Sequence, residues 1–216
     1  MVIVGSILLA FAIDASWGEF RESQDEEIVL LGLRGDFQGY LAEMDESRAS
    51  HDQRVAAADF LLASTGPATA PQDEAALLGA LSRMFIWDQV FLPAGTLGSL
   101  MESQGLALIG NPELRRELVE WRQSLGELDE GNDYVVQKVT DLEHYLAPRF
   151  PGRTLGWSLE RGDTSPFASA VAPLLSDVEF ENHIYTGRIA SSNLLQNIAD
   201  WETAARRILD LIEAEL

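Results

Sequence analysis

The chain has 216 residues and no cysteine, which excludes disulfides, thiolate metal sites and a cysteine nucleophile. Its 35 acids against 15 bases give a net charge of −20, with Lys138 the only lysine, so the surface repels nucleic acid and anionic headgroups and nucleic-acid binding is set aside. A hydrophobic fraction of 46% beside 23% charged residues excludes wholesale disorder and is enough for a sizeable core.

The first element is Met1 to Ile13, which carries no charge; Asp14 follows and Trp17 closes the run. Beyond it Glu19, Arg21, Glu22, Asp25, Glu26 and Glu27 crowd together. A helix of that apolar run spans roughly 20 Å, short of the roughly 30 Å hydrocarbon core. Trp17 extends it to the membrane–water interface, where tryptophan is favoured and Asp14 is tolerable. Two other readings compete. Ala10-Phe11-Ala12 fits a signal cleavage site, although the basic n-region is absent, and a run this short also occurs as a buried helix. Direct passage into a charged helix favours an anchor made by Val2, Ile3, Val4, Ile7, Leu8, Leu9, Phe11, Ile13 and Trp17. The shortfall in length implies further residues before Met1, several apolar and at least one basic. Orientation stays open, because the positive-inside rule counts lysines and arginines on a flank that the sequence does not include.

From Glu19 to about Ser64 no proline occurs and the pattern is helical. Leu30, Leu33, Phe37, Tyr40, Met44, His51, Val55, Ala58 and Leu62 recur at spacings of three and four, with a gap at Ser47. Gly32, Gly35 and Gly39 lie on a neighbouring face; because glycine weakens a helix, the trio suggests close approach of a second helix. Thr65 to Pro71 is a loop dense in breakers, and Asp73 to Trp87 reads as a helix with acids in its first turn. Its end, Phe85, Ile86, Trp87, Val90, Phe91 and Leu92, is the densest aromatic patch and reads as core. Thr96 then reads as the N-cap of a short helix, Leu97 to Ser103, stopped by Gly105.

Asn111-Pro112 opens the next helix with an N-cap and a first-turn proline. To about Ala147 it carries the most regular pattern of the chain, a packing seam of Leu114, Leu118, Trp121, Leu125, Leu128, Val135, Val139, Leu142 and Leu146. Asn132, beside Gly131, interrupts it either as a buried polar register-setter or as a kink. Pro148, Pro151 and Gly152 end this helix, Arg153 to Pro173 reads as irregular, and Ser176 caps a last helix from Asp177 onward. Its stripe is Ile184, Ser191, Leu194, Ile198, Trp201, Ala205, Ile208 and Ile212. Three long helices with single apolar stripes must bury them against one another. The expected fold is all-α: an anchor helix (1–17) continuing into one bundle (18–216), elongated and mainly antiparallel, of three long helices plus two short ones packed at one end.

No catalytic signature emerges. The three histidines do not form His-Glu-x-x-His, and Glu179/His183 and Asp141/His144 are not the Glu-x-x-His pairs of a di-iron bundle; both read as solvated surface pairs. His51, on the apolar stripe, reads as a satisfied core histidine rather than a ligand. Gly95 to Gly98 lacks the strand and lysine of a phosphate loop, and no Gly-x-Ser-x-Gly elbow or dinucleotide fingerprint occurs. No catalytic, cofactor-binding or metal-binding residue is assigned.

SILLAFAIDASW (Ser6 to Trp17) followed by a charged helix resembles the N-terminus of a family of uncharacterised bacterial proteins with one membrane-spanning helix. TLGSLMESQGLALIGNPELRRELVEW (Thr96 to Trp121) resembles that family's central signature, through Thr96, Ser103-Gln104-Gly105, Leu106 to Ile109, Asn111 and Leu114-Arg115. LLSDVEFENHIY (Leu174 to Tyr185) is a third match. The resemblance implies an anchor plus a helical portion and supplies no activity, the family being a domain of unknown function.

The expected function is that of a membrane-anchored, non-enzymatic interaction or scaffold protein with protein partners or self-association, at the bacterial inner membrane, single-pass. The alternative is a helical module that senses a small ligand and signals through its anchor helix, with a pocket among Trp87, Phe91, Trp121 and Trp157.

Overall fold

The computed structural model describes the backbone of residues 2–67, 73–93, 95–103, 105–156, 158, 161–167 and 170–216, and side chains within them from residue 23 onward. Among the described residues there are five α-helices and no strand: α1 Val2–Leu62, α2 Glu74–Arg83, α3 Gly95–Glu102, α4 Pro112–Leu146 and α5 Val178–Glu213. Short 3₁₀ turns lie at Gly105–Leu108, Gly152–Thr154 and Ala172–Ser176. α1 is unbroken from Val2, but the anchor side chains, Val2 to Trp17, lie outside the described residues. Among the described residues no helix is long and apolar enough to cross a membrane.

Side-chain caps set the helix starts. The Asp73 carboxylate accepts from the Ala75 amide at 3.0 Å. Asn111 Oδ1 accepts from the Glu113 and Leu114 amides at 2.8 and 3.1 Å, as an N-cap should. α5 departs from expectation: Asp177, not Ser176, accepts from the Glu179 amide at 2.8 Å. α2 stops at Arg83 rather than reaching Trp87, and Ile86 to Pro93 runs extended.

The chain divides into two compact units, each built from segments of α1, α4 and α5. Unit 1 comprises Met1–Leu41, Leu92–Gln123 and Thr203–Leu216. Its core includes Leu33 and Phe37 of α1, Leu97 of α3, Leu114 and Leu118 of α4, and Ile212 of α5. The Trp121 ring meets Phe37 edge-on at 5.0 Å and stacks on Tyr40 at 6.0 Å. Here α1 and α4 run parallel, since Glu26 accepts from the Gly110 amide just before α4, and Phe37 meets Trp121 eleven residues further along each. α5 runs against both, through Arg34 to Glu213 at 3.5 Å and Arg207 to Glu113 at 2.8 Å. The antiparallel expectation therefore holds for α5 and fails for the α1/α4 pair. Antiparallel neighbours need only a short loop, whereas residues 63–111 join these two helices and nothing forces a reversal.

Thr96 does not cap α3. The Asp36 side chain of α1 does, accepting from the Leu97 amide at 3.0 Å. Thr96 instead packs on Gly32, whose absent β-carbon would lie 2.5 Å from Thr96 Oγ1, while Gly35 and Gly39 face open space. Close approach thus accounts for one glycine of the three.

Unit 2 comprises Ala42–Phe91 and Ser124–Glu202. α1 and α5 are again antiparallel, joined by Arg48–Glu202 at 2.5 Å and Asp59–Arg188 at 2.5 Å. The core gathers Leu77, Leu81 and Met84, Leu142 and Leu146 of α4, and Phe180 and Ile184 of α5. The irregular segment after α4 is tied to it: the Glu74 carboxylate accepts from the Val171 amide, the Gly66 amide donates to Leu175 O at 2.9 Å, and Tyr145 Oη donates to Asp177 Oδ2 at 2.8 Å. α2 belongs to this unit and α3 to unit 1. α4 is continuous through Asn132, which rules out a break there.

The buried stripe of α1 corrects the sequence reading by one residue. Along Ser47, His51, Arg54, Ala58 and Leu61 the spacing keeps alternating between four and three, and all five are buried, whereas Val55 and Leu62 are half-buried. Hydropathy prefers valine to arginine; the helix period places the arginine inside.

Candidate functional site

Among the described residues the extended segment after α2 has no ladder partner, so its carbonyls need side-chain donors. In unit 2, Ser47 Oγ donates to Asp88 O at 2.9 Å and Asn132 Nδ2 donates to Val90 O at 3.1 Å. His51 Nε2 lies 3.1 Å from Asp88 O and Nδ1 3.3 Å from Ser191 Oγ. A neutral ring that donates from Nε2 and accepts at Nδ1 satisfies both contacts. Burial, with the nearby Arg54 and Arg83, holds its pKa down to about 4 despite the pull of Asp88. In unit 1, Tyr40 Oη does the same service, donating to Pro93 O at 2.6 Å. These polar core residues hold the extended segment against the helices, although Asn132 Oδ1 is buried with no partner among the described residues.

Arg54 is not accounted for in this way. Its side chain is 0% exposed, and Nε, Nη1 and Nη2 have no hydrogen-bond partner among the described residues. Burial, together with the Arg83 charge, pushes its pKa down to about 10. Arg83 is half-buried; Nη2 reaches Ser50 Oγ at 3.5 Å and its buried Nε has no partner. In a protein of net charge −20, the charge that acts on buried Arg54 among the described residues is thus a second guanidinium and not a carboxylate.

A cleft of about 570 Å³ lies beside the same segment, walled by Phe85 and Trp87, by Leu146 at the end of α4, and by Phe150, Leu155 and Gly156 beyond it. Glu143, Ser158 and Arg161 add polar groups. Ser82 Oγ donates to Gly156 O at 3.3 Å, and Gly156 (φ +56°) lies against Phe85, where a β-carbon would come within 3.1 Å. A left-handed glycine against the Phe85 β-carbon and backbone shapes this wall.

The residues singled out from sequence are dispersed. Of the four aromatics expected to form a pocket, Trp87 lines the cleft, Phe91 is 72% exposed and Trp121 is buried in unit 1; Trp157 lies outside the described residues. Along the α4 seam, Leu114, Leu118, Trp121, Leu128, Val135, Val139, Leu142 and Leu146 are buried and Leu125 is half-buried. Of the surface pairs, Asp141 binds Lys138 at 2.8 Å, which with smaller contributions from His183 and His144 lowers the Asp141 pKa, while Glu179 meets Arg149 at 3.6 Å and the His183 ring lies 5.1 Å from Tyr145. Arg54 was missed; strict continuation of the α1 spacing is the signal that finds it. Among the described residues no group of three or more His, Cys, Asp or Glu is placed to hold a metal. No family model, curated protein or solved structure matches the chain.

Proposed function

We propose that this protein acts by binding rather than by catalysis: a helical module, held at a bacterial inner membrane by the N-terminal part of α1, that receives a small amphipathic ligand in the unit 2 cleft and reports its occupancy through α1. The observation that carries this reading is the cleft, whose 570 Å³ falls within the range of roughly 300–1,000 Å³ usual for small-molecule sites. Its walls are aromatic and aliphatic, with Glu143 and Arg161 to orient a polar end.

Coupling has a local route. Trp87 faces the cleft and its neighbour Asp88 is bonded through its carbonyl to Ser47 and His51 of α1, a helix continuous from Val2. The apolar run before Trp17 and the resemblance to single-pass proteins support the anchor. The scaffold reading is favoured by Ile28 and Leu31, an exposed apolar i,i+3 pair on α1 that suits a partner helix.

The test is thermal unfolding of the full chain in detergent, followed by tryptophan fluorescence, against a panel of amphipathic aromatic acids and amines. One class should raise Tm by several degrees, as mass action requires of a ligand well above its Kd. Ala147→Trp, which fills the cleft from an exposed position, should abolish the shift. A panel that leaves Tm unchanged, or an equal shift in the filled variant, rejects the reading.

A further inference from the structure

We propose that Arg54 and Arg83 hold a small monovalent anion, of halide or nitrate size, inside unit 2 and apart from the cleft. The argument begins with the donors. The Arg54 guanidinium is wholly buried, and none of its nitrogens has a hydrogen-bond partner among the described residues. An unpaired buried charge is among the most destabilising features a core can contain, and a well-packed neutral side chain of similar size would ordinarily be the more stable choice. Its neighbours do not relieve it. Both ring nitrogens of His51 are engaged by Asp88 O and Ser191 Oγ, and Ser50 Oγ accepts from Arg83. Among the described residues the one side-chain charge that acts on Arg54 is the like charge of Arg83, whose buried Nε also lacks a partner there. A buried guanidinium with three free nitrogens, within electrostatic reach of a second guanidinium that keeps a free Nε, is complementary to an anion.

Size and access narrow the class. A β-carbon at Gly187 of α5 would lie 3.4 Å from Arg54 Nη2 and 3.1 Å from Met84 Cε, so the α5 backbone approaches the guanidinium closely. So tight a surrounding admits an occupant no larger than one atom or a small planar ion, and not an organic molecule. Guanidinium is itself weakly hydrated, which favours anions that shed water readily. Arg83 also lines a groove walled by Ala56 and Ala57 of α1 and Gly79 and Ala80 of α2, so an anion can reach the site from solvent by way of Arg83.

The experiment uses the full chain in detergent with potassium salts at constant ionic strength, gluconate replacing the test anion. Tm should rise saturably with millimolar chloride, bromide or nitrate. The chain should broaden the ³⁵Cl resonance of free chloride. Arg54→Met should abolish both effects while raising Tm in gluconate alone, and Arg83→Met, at a half-buried position, should weaken halide binding at least several-fold. Arg161→Met, in the cleft, should leave both effects unchanged, so failure here is distinguishable from failure of the cleft reading. Equal ³⁵Cl broadening by the wild type and by Arg83→Met, or a Tm that responds to gluconate as it does to chloride, overturns the proposal.

Discussion

Thr96 Oγ1 stands 2.5 Å from the point a β-carbon on Gly32 would occupy, with Thr96 Cγ2 and Cβ at 3.0 and 3.2 Å. α3 therefore seats on bare backbone of α1 in unit 1. Alanine at position 32 gains up to about 1 kcal/mol of helix propensity, but overpacking costs about 1–3 kcal/mol, and the β-branched Thr96 is stiff at χ1. Gly32→Ala should destabilise by about 1–2 kcal/mol in urea unfolding. Gly35→Ala, with nothing within 4 Å, should stabilise by up to about 1 kcal/mol. Thr96→Ala should recover most of the loss in the Gly32 variant; changes of one sign at both glycines would refute the contact.

The helical class was legible because periodicity and caps act locally: the α4 pattern and the Asn111 cap can both be read within one helix. Pairing was not legible. That α4 lies parallel to α1 in unit 1 depends on contacts such as Glu26 with Gly110, across a long connection. The extended course of Ile86 to Pro93 was hidden because its partners are side chains elsewhere, namely Ser47, His51 and Asn132 in unit 2 and Tyr40 in unit 1. Arg54 escaped for a different reason. A hydropathy stripe rejects a charge, and only the period places it inside.

His51 makes unit 2 acid-sensitive. Its folded pKa is lowered from 6.5 to about 4, chiefly by burial, so between those values the unfolded chain binds the extra proton. Stability from this group is fully present above about pH 6.5 and is lost as pH falls toward 4. The loss should reach roughly 3 kcal/mol, at about 1.4 kcal/mol per pH unit. Urea unfolding at pH 7.5, 6 and 4.5 should show it. His51→Gln, which still offers a donor and an acceptor, should remove that part of the pH dependence; an unchanged slope would assign it elsewhere.

The α4 seam is unequal along its length. Leu118 is 0% exposed in unit 1, whereas Leu125 in unit 2 is half-buried. Leu118→Ala should cost about 2–5 kcal/mol, and Leu125→Ala well under half as much, because fewer neighbours lose contact. Equal losses in denaturant titration would mean that a partner buries Leu125.

Asn132 and Ser47 both donate to the extended segment, but their removal should differ. Val90 O receives its hydrogen bond from Asn132 Nδ2, and loss of that donor leaves a buried carbonyl without its partner. Asp88 O receives both Ser47 Oγ and His51 Nε2, so one donor survives when the other goes. Asn132→Ala should therefore cost about 1–3 kcal/mol and Ser47→Ala no more than about 1 kcal/mol. The Ser47→Ala/His51→Phe double variant, which removes both donors to Asp88 O, should lose more than the sum of its singles, since only together do they orphan that carbonyl. Additive losses in urea unfolding would show that the segment is held by packing of Ile86 and Val90 rather than by its carbonyls.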